Sequence, residues 1–112
     1  MISEKVLALL KEITLQDCQY DDNPDVQIIA HAGDSGQQVF IYSDQVDYYF
    51  KAIGSPYLLA MTKWLVIQLQ DQQMREFANI TIGQLQQAFD LPAHKRQDAL
   101  VILQLIEQLH PS

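Results

Sequence analysis

The strongest constraint on this chain is the segment Tyr57–Gln70, which is apolar on nearly every side of a helix. A helix without a polar face belongs inside a domain, so we predict a buried central helix. Its start is marked by Gly54, Ser55 and Pro56. Serine is a good helix cap, and proline suits the first helical position. Glycine tolerates the sharp corner that must precede the helix. The rest of the chain is therefore expected to pack around this corner.

The sequence before the corner is typical of strands. Loose alternation of apolar and polar residues predicts strands at Val26–His31, Gln38–Ser43 and Val46–Ala52. The connections at Gly33–Gly36 and Ser43–Gln45 are short. Short connections between successive strands imply antiparallel pairing, so we predict one small antiparallel sheet with one face covered by helices.

The remaining segments are typical of helices. An apolar stripe predicts a first helix over residues 3–13, followed by a loop at Gln16–Pro24. Asp71–Asn79 is polar and could hold one short helix. Thr81 is predicted to cap another helix, and the last helix is predicted to run from Pro92 to about Leu109. The core-facing positions of the last helix are predicted to be Ala99, Ile102, Leu103, Ile106 and Leu109.

Together these segments predict an α+β fold, with a small three-stranded antiparallel sheet packed against helices in the order α-β-β-β-α-(α)-α-α. We expect one domain over residues 1–112, because the chain is long enough for one core and contains no linker-like stretch.

Charge and cysteine content exclude several classes of function. The formal net charge of −7 argues against a phosphate-binding nucleic-acid protein and against an anionic membrane surface. No apolar run is long enough to span a membrane, and the N-terminus lacks signal-peptide architecture. The single cysteine, Cys18, cannot form an internal disulfide. We therefore expect a cytoplasmic protein with no nucleic-acid or membrane partner, while self-association stays open.

No catalytic or metal-binding motif stands on its own in the chain. His94 and Asp98 are four residues apart, a spacing that favours a surface ion pair or, with further ligands, half of a metal site. Ser35 and Ser55 each lie at a predicted turn, where serine usually forms the turn or caps a helix. Cys18 lies in a loop without an adjacent cation, which is typical of an inert thiol. These residues predict no enzyme activity and no cofactor.

The order of four segments resembles the NifU/IscU-type iron–sulfur cluster scaffold family. Tyr20–Pro24 is similar to the family's Tyr-x-Asn-Pro segment with one residue added, and Phe50–Ser55 is similar to its strand ending in Gly-Cys. Ile80-Thr81 and the helix after it resemble the Ile-Thr helix, and Leu91–Asp98 resembles its Leu-Pro-Pro-x-Lys-x-His-Cys segment. The resemblance covers about Tyr20 to Leu109 and implies the NifU/IscU fold, which SufE-type sulfur acceptors also share in outline.

The same resemblance implies a ligand site that lacks the family's three cysteine ligands. Members of the family hold a cluster or a zinc ion with three cysteines and an assisting Asp or His. The positions that match this site are Ser35, Gln37, Ser55, Gln97 and Asp98. Ser35, Ser55 and Asp98 replace the three cysteines. A serine alcohol and a carboxylate are hard ligands that do not replace soft thiolates on a cluster, and neither accepts persulfide sulfur.

The resemblance therefore implies a scaffold-like protein that binds no cluster, metal or cofactor and acts through protein binding. The expected partner is a cysteine desulfurase or an intact scaffold, contacted around Gly54, Pro92, His94 and Lys95. Two alternatives remain open. One is a small acidic interaction module with no link to cluster assembly, whose Gln-rich helices make the contact. The other is a scaffold or metal-binding protein that uses Asp98, His94 or Cys18 as ligands.

Overall fold

The computed structural model of the protein describes residues 4–13, 25–34, 36–71 and 79–109. The predicted loop at Gln16–Pro24, Ser35, Cys18 and most of Asp71–Asn79 lie outside these residues. The described elements are α1 (Glu4–Glu12), β1 (Gln27–Asp34), β2 (Gln37–Ser43), β3 (Tyr48–Ile53), α2 (Pro56–Gln70), α3 (Ile82–Phe89) and α4 (Arg96–Leu109), with a 3₁₀ turn at Ala93–Lys95 before α4.

The three strands form one antiparallel sheet in the order β1-β2-β3. One face of the sheet is buried, through Ala30 and Ala32 of β1, Val39 and Ile41 of β2 and Phe50 of β3. Helices α2 and α4 pack against this sheet. The predicted α+β class, the antiparallel three-stranded sheet and the packing of helices against it are confirmed.

Helix α2 lies at the centre of the structure, as its sequence predicts. It buries Leu58, Met61, Leu65 and other side chains along most of its circumference. Trp64 makes an edge-to-face contact with Phe89 of α3, with ring centroids 5.6 Å apart. Such aromatic contacts add to the free energy gained from burial of apolar surface. The core therefore joins the central helix both to the sheet and to α3.

The predicted strands differ from the observed ones along β1 and at the start of β3. β1 continues to Asp34, so Gly33 and Asp34, which were predicted to lie in the turn, belong to the strand. The sequence pattern put Val26, Ile28 and Ala30 on one face, but the register shifts between Ile28 and Ala30. An extra residue at this β-bulge reverses the alternation, so Ile28 is 55% exposed while Ala30 is buried. The bulge is a tertiary feature that alternation alone does not reveal.

The β2–β3 connection is longer than predicted, and the start of β3 at Val46 is wrong. Val46 is 79% exposed because it belongs to the turn. The Asp44 Oδ1 atom accepts hydrogen bonds from the backbone amides of Val46, at 2.9 Å, and Asp47, at 2.7 Å. This local bonding by the aspartate side chain holds the backbone in a turn and delays β3 until Tyr48.

The helices after the central helix begin and end for local reasons. Thr81 and Gln84 form a reciprocal capping box at the start of α3. Asp90 adopts a left-handed conformation with φ of 53° and ends that helix. The last helix was predicted to start at Pro92, but Pro92 has an extended backbone. The chain then forms a 3₁₀ turn and is α-helical only from Arg96. That turn directs α4 back across the sheet.

Candidate functional site

The corner between β3 and α2 is built from the residues that the sequence singled out. Gly54 has a φ of +154°, which a side chain rarely accepts. Ser55 is the N-cap of α2, and its Oγ atom accepts a hydrogen bond from the Leu58 amide at 3.3 Å. Pro56 occupies the start of the helix, where its missing N–H costs nothing. The strand-to-helix corner is therefore fixed by backbone geometry and by a side-chain cap.

The Ser55 hydroxyl also reaches across the fold to α4. It donates a hydrogen bond to the Asp98 Oδ2 atom at 2.5 Å. Asp98 lies in the first turn of α4 and is only 3% exposed. A buried carboxylate needs a hydrogen-bond donor, and the hydroxyl supplies one. This contact ties the start of α2 to the start of α4.

Gln37, at the start of β2, lies at the same corner. A Cβ atom added to Gly54 would stand 3.4 Å from the Gln37 Cβ atom and 2.7 Å from the Leu58 Cδ2 atom. The structure thus brings together Gln37, Ser55 and Asp98, three of the positions named from the sequence. Gln97 is exposed on the first turn of α4 beside Asp98. Ser35 lies outside the described residues, although its neighbour Gly36 donates to Asp34 Oδ1 at 3.1 Å.

The predicted contact residues lie close to the same end of α4. Pro92 precedes the 3₁₀ turn and Lys95 is its last residue. The Lys95 amide donates a hydrogen bond to the Pro92 carbonyl, at 2.9 Å. His94 is exposed and Lys95 is half-buried. The buried Asp98 follows within one helical turn. Gly54 is exposed at the corner itself, so the corner has an accessible surface beside its partly buried hydrogen bond.

The predicted surface ion pair between His94 and Asp98 is wrong. Asp98 is buried against Ser55, whereas His94 is exposed on the 3₁₀ turn. The turn replaces the α-helical geometry in which residues four apart share a face. No group of three or more His, Cys, Asp or Glu residues suited to a metal ion occurs within the described ranges. Cys18 lies outside those ranges.

The chemistry of Ser55 is dominated by its two hydrogen bonds. Its proton is directed to Asp98, and an oxygen lone pair is directed to the Leu58 amide. A nucleophilic serine needs a hydroxyl that can reach a substrate and a base that removes its proton. Here the carboxylate is buried at the helix junction, and the hydroxyl caps a helix. The geometry therefore supports a structural linkage at the position where the resemblance implies a ligand.

The sequence could have revealed the burial of Asp98. It shares one helical stripe with Val101, Ile102 and Leu105, all of which are buried. A carboxylate on an apolar stripe is a sign of a specific partner inside the protein. The identity of that partner depends on where the corner lies relative to α4, which no local pattern contains.

One concave surface was not anticipated from the sequence. It is an open groove of about 650 Å³ along α3 and the segment that follows it. Its lining exposes more apolar than polar surface and comprises Thr81, Gly83, Gln84, Gln86, Gln87, Asp90, Leu91 and Ala93. Amide and hydroxyl groups in such a groove can donate and accept hydrogen bonds to a polypeptide.

The chain matches no family model and no curated protein in sequence. In the part of the chain that the structure describes, no helix has both the length and the apolar character required to cross a membrane.

Proposed function

We propose that this chain is a NifU/IscU-like protein of iron–sulfur cluster assembly that binds no cluster and acts by binding another protein. The observation that carries the proposal is the convergence of Gln37, Ser55 and Asp98 at one corner. These residues come from β2, the start of α2 and the start of α4. The resemblance assigns these same three positions to one ligand site.

The chemistry of the corner supports a binding role over a scaffold role. Cluster iron prefers thiolates, and the hydroxyl of Ser55 and the carboxylate of Asp98 are hard oxygen groups. These two groups also satisfy each other through a hydrogen bond. In this role the corner is a rigid joint that keeps the surrounding surface in place, and the chain catalyses no reaction.

The proposed contact surface consists of Gly54, Pro92, His94 and Lys95. In a chain of net charge −7, His94, Lys95 and Arg96 form a local group of basic residues. A basic group on an acidic protein favours a partner that presents carboxylates there. We name a cysteine desulfurase or an intact cluster scaffold as that partner.

Binding to each purified partner tests this proposal directly. Calorimetry should detect association of the wild-type chain with one of the two partners. Lys95→Glu should weaken that association by about tenfold or more, because it opposes the charge of the partner at the contact. Lys11→Glu, on the exposed side of α1, changes the net charge equally and should have little effect. Absence of binding to both partners, or equal effects of the two variants, would contradict the proposal.

Restoration of thiols tests the assignment of the ligand site. The triple variant Ser35→Cys, Ser55→Cys and Asp98→Cys should bind zinc or an iron–sulfur cluster in stoichiometric amount after anaerobic reconstitution. A control with Ser43→Cys in place of Ser55→Cys has the same number of thiols, but places one at the far end of β2. The control should remain empty, and so should the wild-type chain.

Both proteins must be shown to be folded by circular dichroism before metal, acid-labile sulfide and absorption are measured. Failure of the folded triple variant to bind metal would remove the basis for assigning these positions to a ligand site. A stoichiometric cluster or zinc ion in the wild-type chain would instead support the alternative in which Asp98, His94 or Cys18 acts as a ligand.

A second candidate function is supported by the groove along α3. Gln84, Gln86 and Gln87 all line this groove, which fits a small interaction module that uses its Gln-rich helices and has no link to cluster assembly. Uncharged amides suit a protein interface because they bond without the desolvation cost of a charge. Deletion of the gene with no change in the activity of cluster-dependent enzymes would favour this candidate over the first.

A further inference from the structure

The outer edge of β1 is covered by one side chain of α4. The Gln108 Nε2 atom donates to the His31 carbonyl at 2.7 Å, and the Gln108 Oε1 atom accepts from the His31 amide at 2.9 Å. One side-chain amide thus pairs with both backbone groups of a single strand residue. An adjacent β-strand would make the same two bonds at this position.

The strand register shows why His31 offers these groups. The N–H and C=O of one strand residue leave the strand on the same side, and successive residues alternate between sides. A two-residue connection joins Asp34 to Gln37, so this pair is hydrogen-bonded. Because residues alternate along β1, the backbone groups of Ala32 bond to β2, whereas those of His31 point away from β2. Gln108 therefore occupies the place of a fourth strand.

The opposite edge of the sheet does not offer the same opportunity. By the same alternation, the backbone groups of Tyr48, Phe50 and Ala52 in β3 point away from β2. Tyr48 and Ala52 are half-buried. Phe50 is only 2% exposed, so its amide and carbonyl are covered within the chain. At β1, in contrast, His31 is exposed, Ile28 is 55% exposed and Ile29 is 38% exposed. The β1 edge is the one at which an added strand would find both backbone bonds and apolar contacts.

We propose that the Gln108 side chain blocks the β1 edge by making the hydrogen bonds that an added strand would make. The strand that it prevents from pairing there is β1 of a second copy of this chain. Two identical edges pair antiparallel about a twofold axis, which makes the contact self-complementary. An axis at His31 places Ala30 opposite Ala32 of the other copy. Both side chains are small, so they add little bulk beside the two paired strands.

This role explains a costly arrangement at the surface. Holding an exposed glutamine in one conformation opposes its side-chain entropy, so the two hydrogen bonds by themselves contribute little stability. Unpaired strand edges, in contrast, promote aggregation, and natural proteins block them by bulges and by covering groups. Both devices occur on β1, as the bulge between Ile28 and Ala30 and as the Gln108 amide.

The test uses Gln108→Ala with Gln104→Ala as the matched control. Gln104 is also exposed on α4, one turn earlier. In the dilute Gln108→Ala protein, hydrogen exchange of the His31 amide should accelerate by about tenfold or more, because its acceptor is lost. Sedimentation velocity over a concentration series should show dimers or larger species of this variant at concentrations where the wild type and Gln104→Ala are monomers.

A second variant tests whether the length of the side chain is required in addition to its amide group. Gln108→Asn keeps the amide but is shorter by one methylene group, so it should self-associate as Gln108→Ala does. Renewed protection of the His31 amide in the associated species would place the contact at this edge. The proposal is overturned if Gln108→Ala exposes the His31 amide yet stays monomeric, or if exchange at His31 is unchanged. It is also overturned if the wild type itself associates through β1.

Discussion

Removal of the Ser55 hydroxyl should destabilise the protein more than the loss of an ordinary helix cap. Ser55→Ala removes the cap of α2, which is worth about 1 kcal/mol. It also leaves the Asp98 carboxylate, 3% exposed, without the donor at 2.5 Å. Loss of a hydrogen bond to a buried charged group costs about 1.5–3 kcal/mol. We expect the free energy of unfolding to fall by about 3 kcal/mol in total.

The double-mutant cycle isolates the cross-fold bond. Asp98→Ala alone removes the acceptor and should cost about 2 kcal/mol. Once either partner is missing, removal of the other no longer breaks this hydrogen bond. The double variant should therefore cost about 3 kcal/mol, which leaves a coupling energy near 2 kcal/mol.

Urea unfolding followed by the fluorescence of Trp64 gives these free energies, provided that the slopes of the transitions agree between variants. Thr81→Ala is the control, because Thr81 also caps a helix but is exposed and forms no cross-fold bond. It should cost about 1 kcal/mol. Additive effects of the two corner substitutions, or equal costs of Ser55→Ala and Thr81→Ala, would refute the linkage.

Three further results are expected. Gly54→Ala should destabilise by about 1–3 kcal/mol in the same urea assay, because its φ of +154° and the Leu58 side chain at 2.7 Å oppose a methyl group. Phe89→Ala should cost about 3–5 kcal/mol and shift the emission of Trp64, whose ring it contacts. Burial, and then the nearby carboxylates, raise the pKa of the Tyr49 phenol above 10.0. Since the protonated phenol is favoured in the folded state, the contribution of Tyr49 to stability should be fully present below the pKa of an unfolded tyrosine, about 10, and be lost as the pH rises through the higher pKa of the folded state. The ultraviolet titration of tyrosinate, with Tyr49→Phe as the reference, should show the raised pKa of Tyr49.

Local chemistry accounts for the part of the fold that could be predicted. The Gly-Ser-Pro sequence at residues 54–56 contains a flexible position, a cap and a helix start, and each acts within a few residues. The apolar character of Tyr57–Gln70 predicts that this helix is buried, and no information about any other segment is needed. Short connections likewise limit successive strands to antiparallel neighbours, so the sheet topology follows from the lengths of the connections between strands.

The features that escaped prediction depend on contacts between distant segments or on one extra residue. The bulge near Ile29 reverses the faces of β1, and only the pairing with β2 reveals it. The bonds of Gln108 to His31 and of Ser55 to Asp98 join segments 77 and 43 residues apart. The apolar stripe of α4 indicates that Asp98 is buried, but the partners of these polar residues are known only from the fold.

Two polar contacts of α4 thus have separate consequences at its two ends. At its start, Asp98 fixes the helix to the corner at Ser55, which sets the position of the 3₁₀ turn that contains His94 and Lys95. At its end, Gln108 covers the edge of β1. A substitution at the first contact should change stability and the proposed partner binding together, because both depend on where α4 begins. A substitution at the second should change self-association alone, because the exposed amide contributes little to the core. The two proposals can therefore succeed or fail independently within one set of variants.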